Sequence, residues 1–327
     1  MDEMTMLDDF GAALDPDGPP PRDLRRRVLT GVMRPQPVWR RMLTGRTGMR
    51  VAVGGGLAAV LTAAVLAAQV VPFGGSGPAA QAQAADILAG AAEQARHQPD
   101  VPVRGDQFVH VESVATVLGM NEATKQSSTA VIARRVWLSV DGTRDGLIQQ
   151  RPRSGGDWTD TALPGCHGGV VTQTKGGVTV TNACTPTPAY RGGLPTDADA
   201  MLAHLYRIAD EQPNKNPRDQ RAFTAAVDLV AEAYLSPASL AAVFGAVARI
   251  PGVSVVGDVT DEAGRDGVAV ALHEVQGTRA ELIFDRDSHA YLGNRSVALQ
   301  DGDGLRAGQV MYSAAVLTVE IVDRAGV

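Results

Sequence analysis

The chain has 327 residues, enough for one sizeable domain with accessory segments or for two small ones. With 4% aromatic and 20% charged residues it is neither collagen-like, nor disulfide-dense, nor held open by charge. The net charge of −6 is unevenly placed: residues 1–50 carry nine arginines and seven acids, residues 51–85 carry no charge, and the remainder holds 21 basic and 29 acidic residues. An acidic C-terminal region excludes nucleic acid as its partner, because phosphate contact requires the opposite sign.

The first 50 residues begin acidic, pass through Pro16, Pro19, Pro20 and Pro21, and then turn basic. Arg22, Arg25, Arg26, Arg27, Arg34, Arg40, Arg41, Arg46 and Arg50 follow, with Asp23 the one acid among them. The stretch RDLRRRVLTGVM has the pattern of a short amphipathic helix.

From Val51 to Val71 the sequence VAVGGGLAAVLTAAVLAAQVV contains no charge. A helix of that length spans about 30 Å, the thickness of a bilayer's hydrocarbon core. A buried helix of a soluble protein would show a polar face, and this segment has none. The arginines lie before it and the first charge after it is Asp86, so the positive-inside rule places residues 1–50 in the cytoplasm and the C-terminal region outside the plasma membrane. AQAQAA at 80–85 resembles a signal-peptide cleavage site, but the apolar run is too long and its charged leader far too long for one. The segment is read as an uncleaved signal anchor. Residues 72–84 (PFGGSGPAAQAQA) are read as a flexible linker to an extracytoplasmic domain at 85–327.

Within that domain Asp86–His97 is predicted helical, and Phe108–Val117, Ala133–Val140 and Leu147–Gln150 are predicted strands. Val170–Thr174 and Val178–Asn182 form a predicted hairpin around Lys175-Gly176-Gly177. Cys166 and Cys184 flank it symmetrically and lie where disulfides persist, so they are expected to pair. Such a bridge closes a short loop, worth about 3 kcal/mol by chain entropy.

Three helices follow. Thr196, with Asp197 and Asp199 after it, is the expected cap of a helix carrying Met201, Leu202, Leu205 and Ile208. Phe223, Val227, Val230 and Tyr234 mark the second. Ser236-Pro237 starts the third, with Leu240, Val243, Phe244 and Val247 as its buried stripe and Pro251-Gly252 as its end. Strands return at Val253–Val256, Gly267–Leu272, Ala280–Phe284, Ala290–Val297 and Val310–Ile321, with Asp285–Ser288 as a turn. In the last strand Met311, Ser313, Ala315, Leu317, Val319 and Ile321 are the expected core face. The order predicts an α+β fold, a curved antiparallel sheet packed on helices.

Constellations that carry chemistry are missing. The six histidines fall into no metal-ligand spacing, His273-Glu274 is not followed by the second histidine of HExxH, and no nucleophile elbow or phosphate loop occurs. His110, Asp141 and His167 are the dispersed residues from which a hydrolase site would have to be built. Asp258, Asp261, Glu262 and Asp266 lack the Asx ladder of a calcium loop and read as an exposed turn. No cofactor or metal is expected, and no enzymatic activity.

Several blocks resemble a family of actinobacterial single-pass membrane proteins encoded beside extracytoplasmic-function sigma factors. They are MDEMTMLDDFGAAL, RRRVLTG, RRVWLSVDGTRDG, LPTDADAMLAHL, SPASLAAVFGAVARIPGV, VVGDVTDEAGRDGVAVAL and ELIFDRDSHAYLGNRSV. The resemblance implies a regulatory role, with the arginine-rich tail contacting a sigma factor or the inner leaflet and the outer domain meeting an envelope ligand or protein. The element order is also loosely similar to lipoprotein-carrier and envelope-stress sensor domains, which makes a membrane-tethered lipid or cell-wall binding module the alternative expectation.

Overall fold

A computed structural model describes residues 77–120, 127–175, 178–231, 233–272, 277–302 and 305–326. The arginine tail and the segment Val51–Val71 lie outside the described residues, among which no helix is long and apolar enough to cross a membrane.

The first element is α1 (Pro78–Arg96), which begins eight residues earlier than the sequence pattern suggested. Residues 78–84, read above as linker, are its first two turns. The reason is local: Pro78 occupies the first turn, where its missing N–H costs nothing, and AAQAQAA consists of strong helix formers. Ala84, Ile87, Leu88, Ala91, Ala92 and Ala95 recur at helical spacing and are buried. Small side chains keep this face close to its neighbours. A Cβ on Gly90 would lie 1.9 Å from the His289 ring.

Nine strands form one antiparallel sheet and two form a separate hairpin. The strands are β1 (Phe108–Met120), β2 (Ser127–Ser139), β3 (Gly146–Pro152), β4 (Thr159–Leu163), β5 (Val170–Lys175), β6 (Val178–Ala183), β7 (Val253–Thr260), β8 (Asp266–Leu272), β9 (Thr278–Asp285), β10 (Tyr291–Ala298) and β11 (Val310–Val322). Their order across the large sheet is β4-β3-β2-β1-β11-β10-β9-β8-β7, with β5-β6 apart. The chain therefore builds the sheet outward from both sides of the β1–β11 pair, every addition but that central pair being a hairpin step. Register shifts at Glu112/Ser113, Val255/Gly257, Tyr291/Gly293 and Ser296/Val297 are the bulges that bend it.

Between β6 and β7 lie α2 (Ala198–Glu211), α3 (Arg218–Ala231) and α4 (Pro237–Val247). The cap of α2 is Asp197 rather than Thr196: its carboxylate accepts the Ala200 N–H at 2.8 Å. Ser236 caps α4 as expected, accepting the Ser239 N–H, with Pro237 in the first turn. Tyr234 lies beyond the end of α3 and bridges to Tyr190 instead. The helices pack on one another and on β7, β8, β9 and β10. Phe244 of α4 meets Phe284 edge-on at 5.3 Å, and Tyr291 completes the aromatic cluster. Strand β8 is buried at every position after Asp266, so this half of the sheet is covered on both faces.

The expected core face of β11 holds only in part. Ser313 and Ala315 are buried, but Leu317 and Val319 are 49% and 42% exposed. Opposite the Glu112/Ser113 shift, Ser113 faces Val316 and Glu112 faces Thr318. Leu317 is the extra residue, and beyond it the alternation reverses. A one-residue slip of this kind moves every later side chain to the other face.

Candidate functional site

One transverse row shows how the sheet divides. Pairing brings Ser254, Ala271, Glu281, Arg295, Ser313, Thr116 and Val131 side by side on the same face. Exposure along it is 0% at Ser254 and Glu281, still only 9% at Thr116, and 40% at Val131. The helix-covered end is closed; toward the other end β2 and β3 still bury Val136, Trp137 and Ile148, and only the outermost strand β4 is mostly exposed.

In the closed end the row contains a buried ion triad. The Glu281 carboxylate receives Arg279 Nε at 2.9 Å on one oxygen and Arg295 Nε at 2.6 Å on the other. All three side chains are at least 96% buried. Arg295 Nη2 is buried without a hydrogen-bond partner among the described residues. Of the two guanidiniums on this carboxylate, Arg279 comes from the same strand, while Arg295 ties β10 to β9 at the Glu281–Arg295 pair.

The segment between β7 and β8 is a turn, flanked by exposed Asp258 and Asp266 as the sequence suggested, but Asp261 within it is not exposed. Asp261 is buried, accepts the N–H groups of Ala263 and Arg265, and pairs with the Arg265 guanidinium at 2.6 Å. Arg265 Nη2 in turn donates to the carbonyls of Leu292 and Val316, at the two neighbouring bulges. The cluster is a structural clamp. Among the described residues no group of three His, Cys, Asp or Glu is placed to hold a metal.

The three dispersed residues of the hydrolase alternative have separate occupations. His110 stacks on Trp137 at 4.6 Å with its Nδ1 2.9 Å from Glu320. Asp141 accepts from Ser139 Oγ, Thr143 N–H and Thr143 Oγ1. Burial pushes its carboxyl up, but the bonds from Thr143 and Ser139 prevail and hold it below the ordinary carboxylate range. His167 Nε2 lies 2.8 Å from Asp145, whose carboxyl is depressed first by the Gly165 N–H and then by His167.

The cysteines do form a disulfide, their Cα atoms 5.9 Å apart. It closes the base of the β5–β6 hairpin, where Cys184 N–H also donates to Gly169 O and Cys166 N–H to Gly142 O. The hairpin is thereby pinned to the β2–β3 turn. Its strands carry cross-strand threonine pairs, Thr172–Thr181 at 3.1 Å and Thr174–Thr179 at 2.9 Å, and exposed Val170 and Val180.

Near the β4 edge three half-buried side chains come together. Trp158 lies just before β4, one residue beyond the last β3–β4 pair, and the Arg151 guanidinium carbon sits 4.5 Å from the indole centre. Arg135 of β2 sits 4.7 Å from the same ring and donates to Glu112 at 2.7 Å. An indole flanked by two guanidiniums is held by cation–π attraction and stacking, which fixes groups that would otherwise sample many rotamers. Beside them β4 forms the sheet edge, exposed at four of its five positions. Sequence reasoning missed β4, because TDTAL has neither alternation nor a run of β-branched apolar residues.

No family model and no curated protein matches the sequence. Solved structures are loosely similar to it. A chain of the Pseudomonas aeruginosa MucA/MucB complex aligns over 75% of this chain and 59% of its own, at 15% identity and a TM-score of 0.23. A crystal structure of MucB aligns over 75% and 61% at 14% identity and 0.26. A LolA-superfamily protein from Nitrosomonas europaea aligns over 72% and 92% at 10% identity and 0.21. The chain thus spans about three-fifths of the length of the first two. At such scores the likeness carries no argument about function, which rests on the geometry above.

Proposed function

We propose that the chain is a non-enzymatic, membrane-anchored envelope sensor or regulator associated with an extracytoplasmic-function sigma factor. The observation that carries this reading is the difference between the two ends of the sheet: one is packed under helices, the other ends in the exposed strand β4, unpaired on its outer side among the described residues, beside an arginine–tryptophan–arginine cluster. A scaffold with a closed core and an exposed edge strand suits macromolecular recognition. The sequence adds the remaining terms. Val51–Val71 supplies the single membrane span, the asymmetry of Arg22, Arg25, Arg26, Arg27, Arg40, Arg41, Arg46 and Arg50 puts the N-terminus inside, and the disulfide suits an oxidising exterior. The tail is then the part that meets the sigma factor.

The test is co-purification from native cells of the tagged full-length chain in detergent, against a version lacking residues 1–45. A sigma factor recovered only with the full-length chain supports the reading. Lipid or cell-wall material recovered with both, and no sigma factor with either, replaces it by a tethered binding module without signalling. Loss of a cellular activity on changing one polar residue that contacts no partner would point to an enzyme.

A further inference from the structure

We propose that the edge of β4 is a docking site for an extended acidic segment of a protein partner, which adds as a tenth strand and places a carboxylate on Arg151. This deepens the reading above and rests on it.

Three observations converge there. The first is the contrast between the two sheet edges. β7 at one edge has α1 packed against it, whereas no described strand pairs with the outer side of β4. Native proteins cover or charge their sheet edges, because a bare row of N–H and C=O groups templates another strand. In β4 (TDTAL) the single charge is Asp160, and it is engaged by Gln149 Nε2 at 3.2 Å.

The second is the state of the two arginines. Arg135 is neutralised by Glu112, 2.7 Å away. Arg151 holds its guanidinium carbon 4.5 Å from the Trp158 ring centre and has no acid within ion-pair distance among the described residues. Stacking leaves the hydrogen-bonding rim of a guanidinium free, and a guanidinium already held in place loses little entropy when a carboxylate arrives in bidentate fashion. The charge selects the occupant: an acidic segment gains a pair, a basic one meets repulsion.

The third is register. Gln150 and Thr159 form the last pair of the β3–β4 ladder, and Arg151 and Trp158 are the next residues beyond it on the two chains. A strand added outside β4 would run past Trp158, and an acidic side chain on the same face would come alongside the stacked guanidinium. Strand addition supplies affinity through main-chain bonds, and side chains at alternate positions supply the selection.

The experiment uses the full-length chain in detergent with its disulfide intact. The probe is a fluorescein-labelled hexapeptide of alternating valine and glutamate, compared with its valine–lysine counterpart by anisotropy. The acidic peptide should bind saturably and roughly tenfold more tightly than the basic one. Hydrogen exchange should slow at residues 159–163, and Arg151→Gln should abolish the charge preference. Unchanged exchange in β8 and β9 verifies that this variant is folded. The proposal is overturned by equal binding of both peptides, by a preference that survives Arg151→Gln, by protection mapping to β7 or to the β5–β6 hairpin, or by no saturable binding. A sigma factor or envelope protein that still co-purifies while the peptide fails would leave the sensor reading standing and remove this site alone.

Discussion

Replacing Glu281 by glutamine tests whether the closed half of the sheet depends on its ion triad. The substitution keeps size and one acceptor oxygen, but removes the charge and turns an amide NH2 toward a guanidinium. Glu281 is fully buried, and its oxygens lie 2.6 Å from Arg295 Nε and 2.9 Å from Arg279 Nε. Removing one member of a buried pair leaves the other's charge uncompensated and costs about 3–5 kcal/mol. A typical domain has only about 5–15 kcal/mol in total, so the variant should sit near its unfolding threshold. The combined change Glu281→Leu, Arg279→Met, Arg295→Met removes the desolvation cost along with the attraction and should destabilise far less than the single change. Urea denaturation followed by circular dichroism, with the slope checked for constancy, reads both numbers. A loss under about 1 kcal/mol for Glu281→Gln, or a triple variant weaker than the single one, would refute the argument.

Three further outcomes are expected. Changing Cys166 and Cys184 to serine should cost about 3 kcal/mol by loop entropy, with hydrogen exchange accelerating first in residues 170–183, since an isolated two-stranded hairpin is marginal. Gly142→Ala should cost more than about 1 kcal/mol in a thermal melt, because its φ is +76° and the new Cβ would lie 2.5 Å from the Thr187 backbone. Asp141 and Asp145 have depressed carboxyls, so the folded state binds fewer protons than the unfolded one: stability should be level from pH 7 to 5 and fall as pH drops below about 4. Asp145→Asn should flatten that fall, measured as Tm against pH.

The parts of the fold that were legible in the sequence are those where local pattern and tertiary burial agree. β1 and β8 are dense in β-branched residues and lie where they bury them. The disulfide followed from two cysteines placed symmetrically about a turn. What stayed hidden depends on contacts between distant residues. Arg279 and Glu281 share a face because they are two apart in a strand, but only the β9–β10 register puts Arg295 across from Glu281. A strand charge read alone looks solvated, and the signal that was available was the R-x-E spacing within a run buried on both sides. Trp158 belongs to the site through the β3–β4 register, and β4 itself has no pattern to find. Asp261 read as exposed because its partner, Arg265, lies within the same polar turn. The bulge at Leu317 inverted the face of the last strand, and no local feature of VLTVEIV announces it.

The position of α1 bears on what the open edge meets. On the proposed topology, with a span over Val51–Val71, six residues would separate it from Pro78 rather than the thirteen of a linker running to residue 84. Fully extended, six residues reach about 20 Å and thirteen about 45 Å. The start of the folded domain is therefore held within about 20 Å of the bilayer on the proposed topology. That tether raises the effective concentration for a partner also fixed in the membrane, and does nothing for one that diffuses in solution. A single stacked guanidinium and a five-residue edge form a small contact, too little for tight capture of a free protein. The combination of a modest docking edge and a short tether thus favours a membrane-held partner, for which weak and reversible strand addition is sufficient to register occupancy.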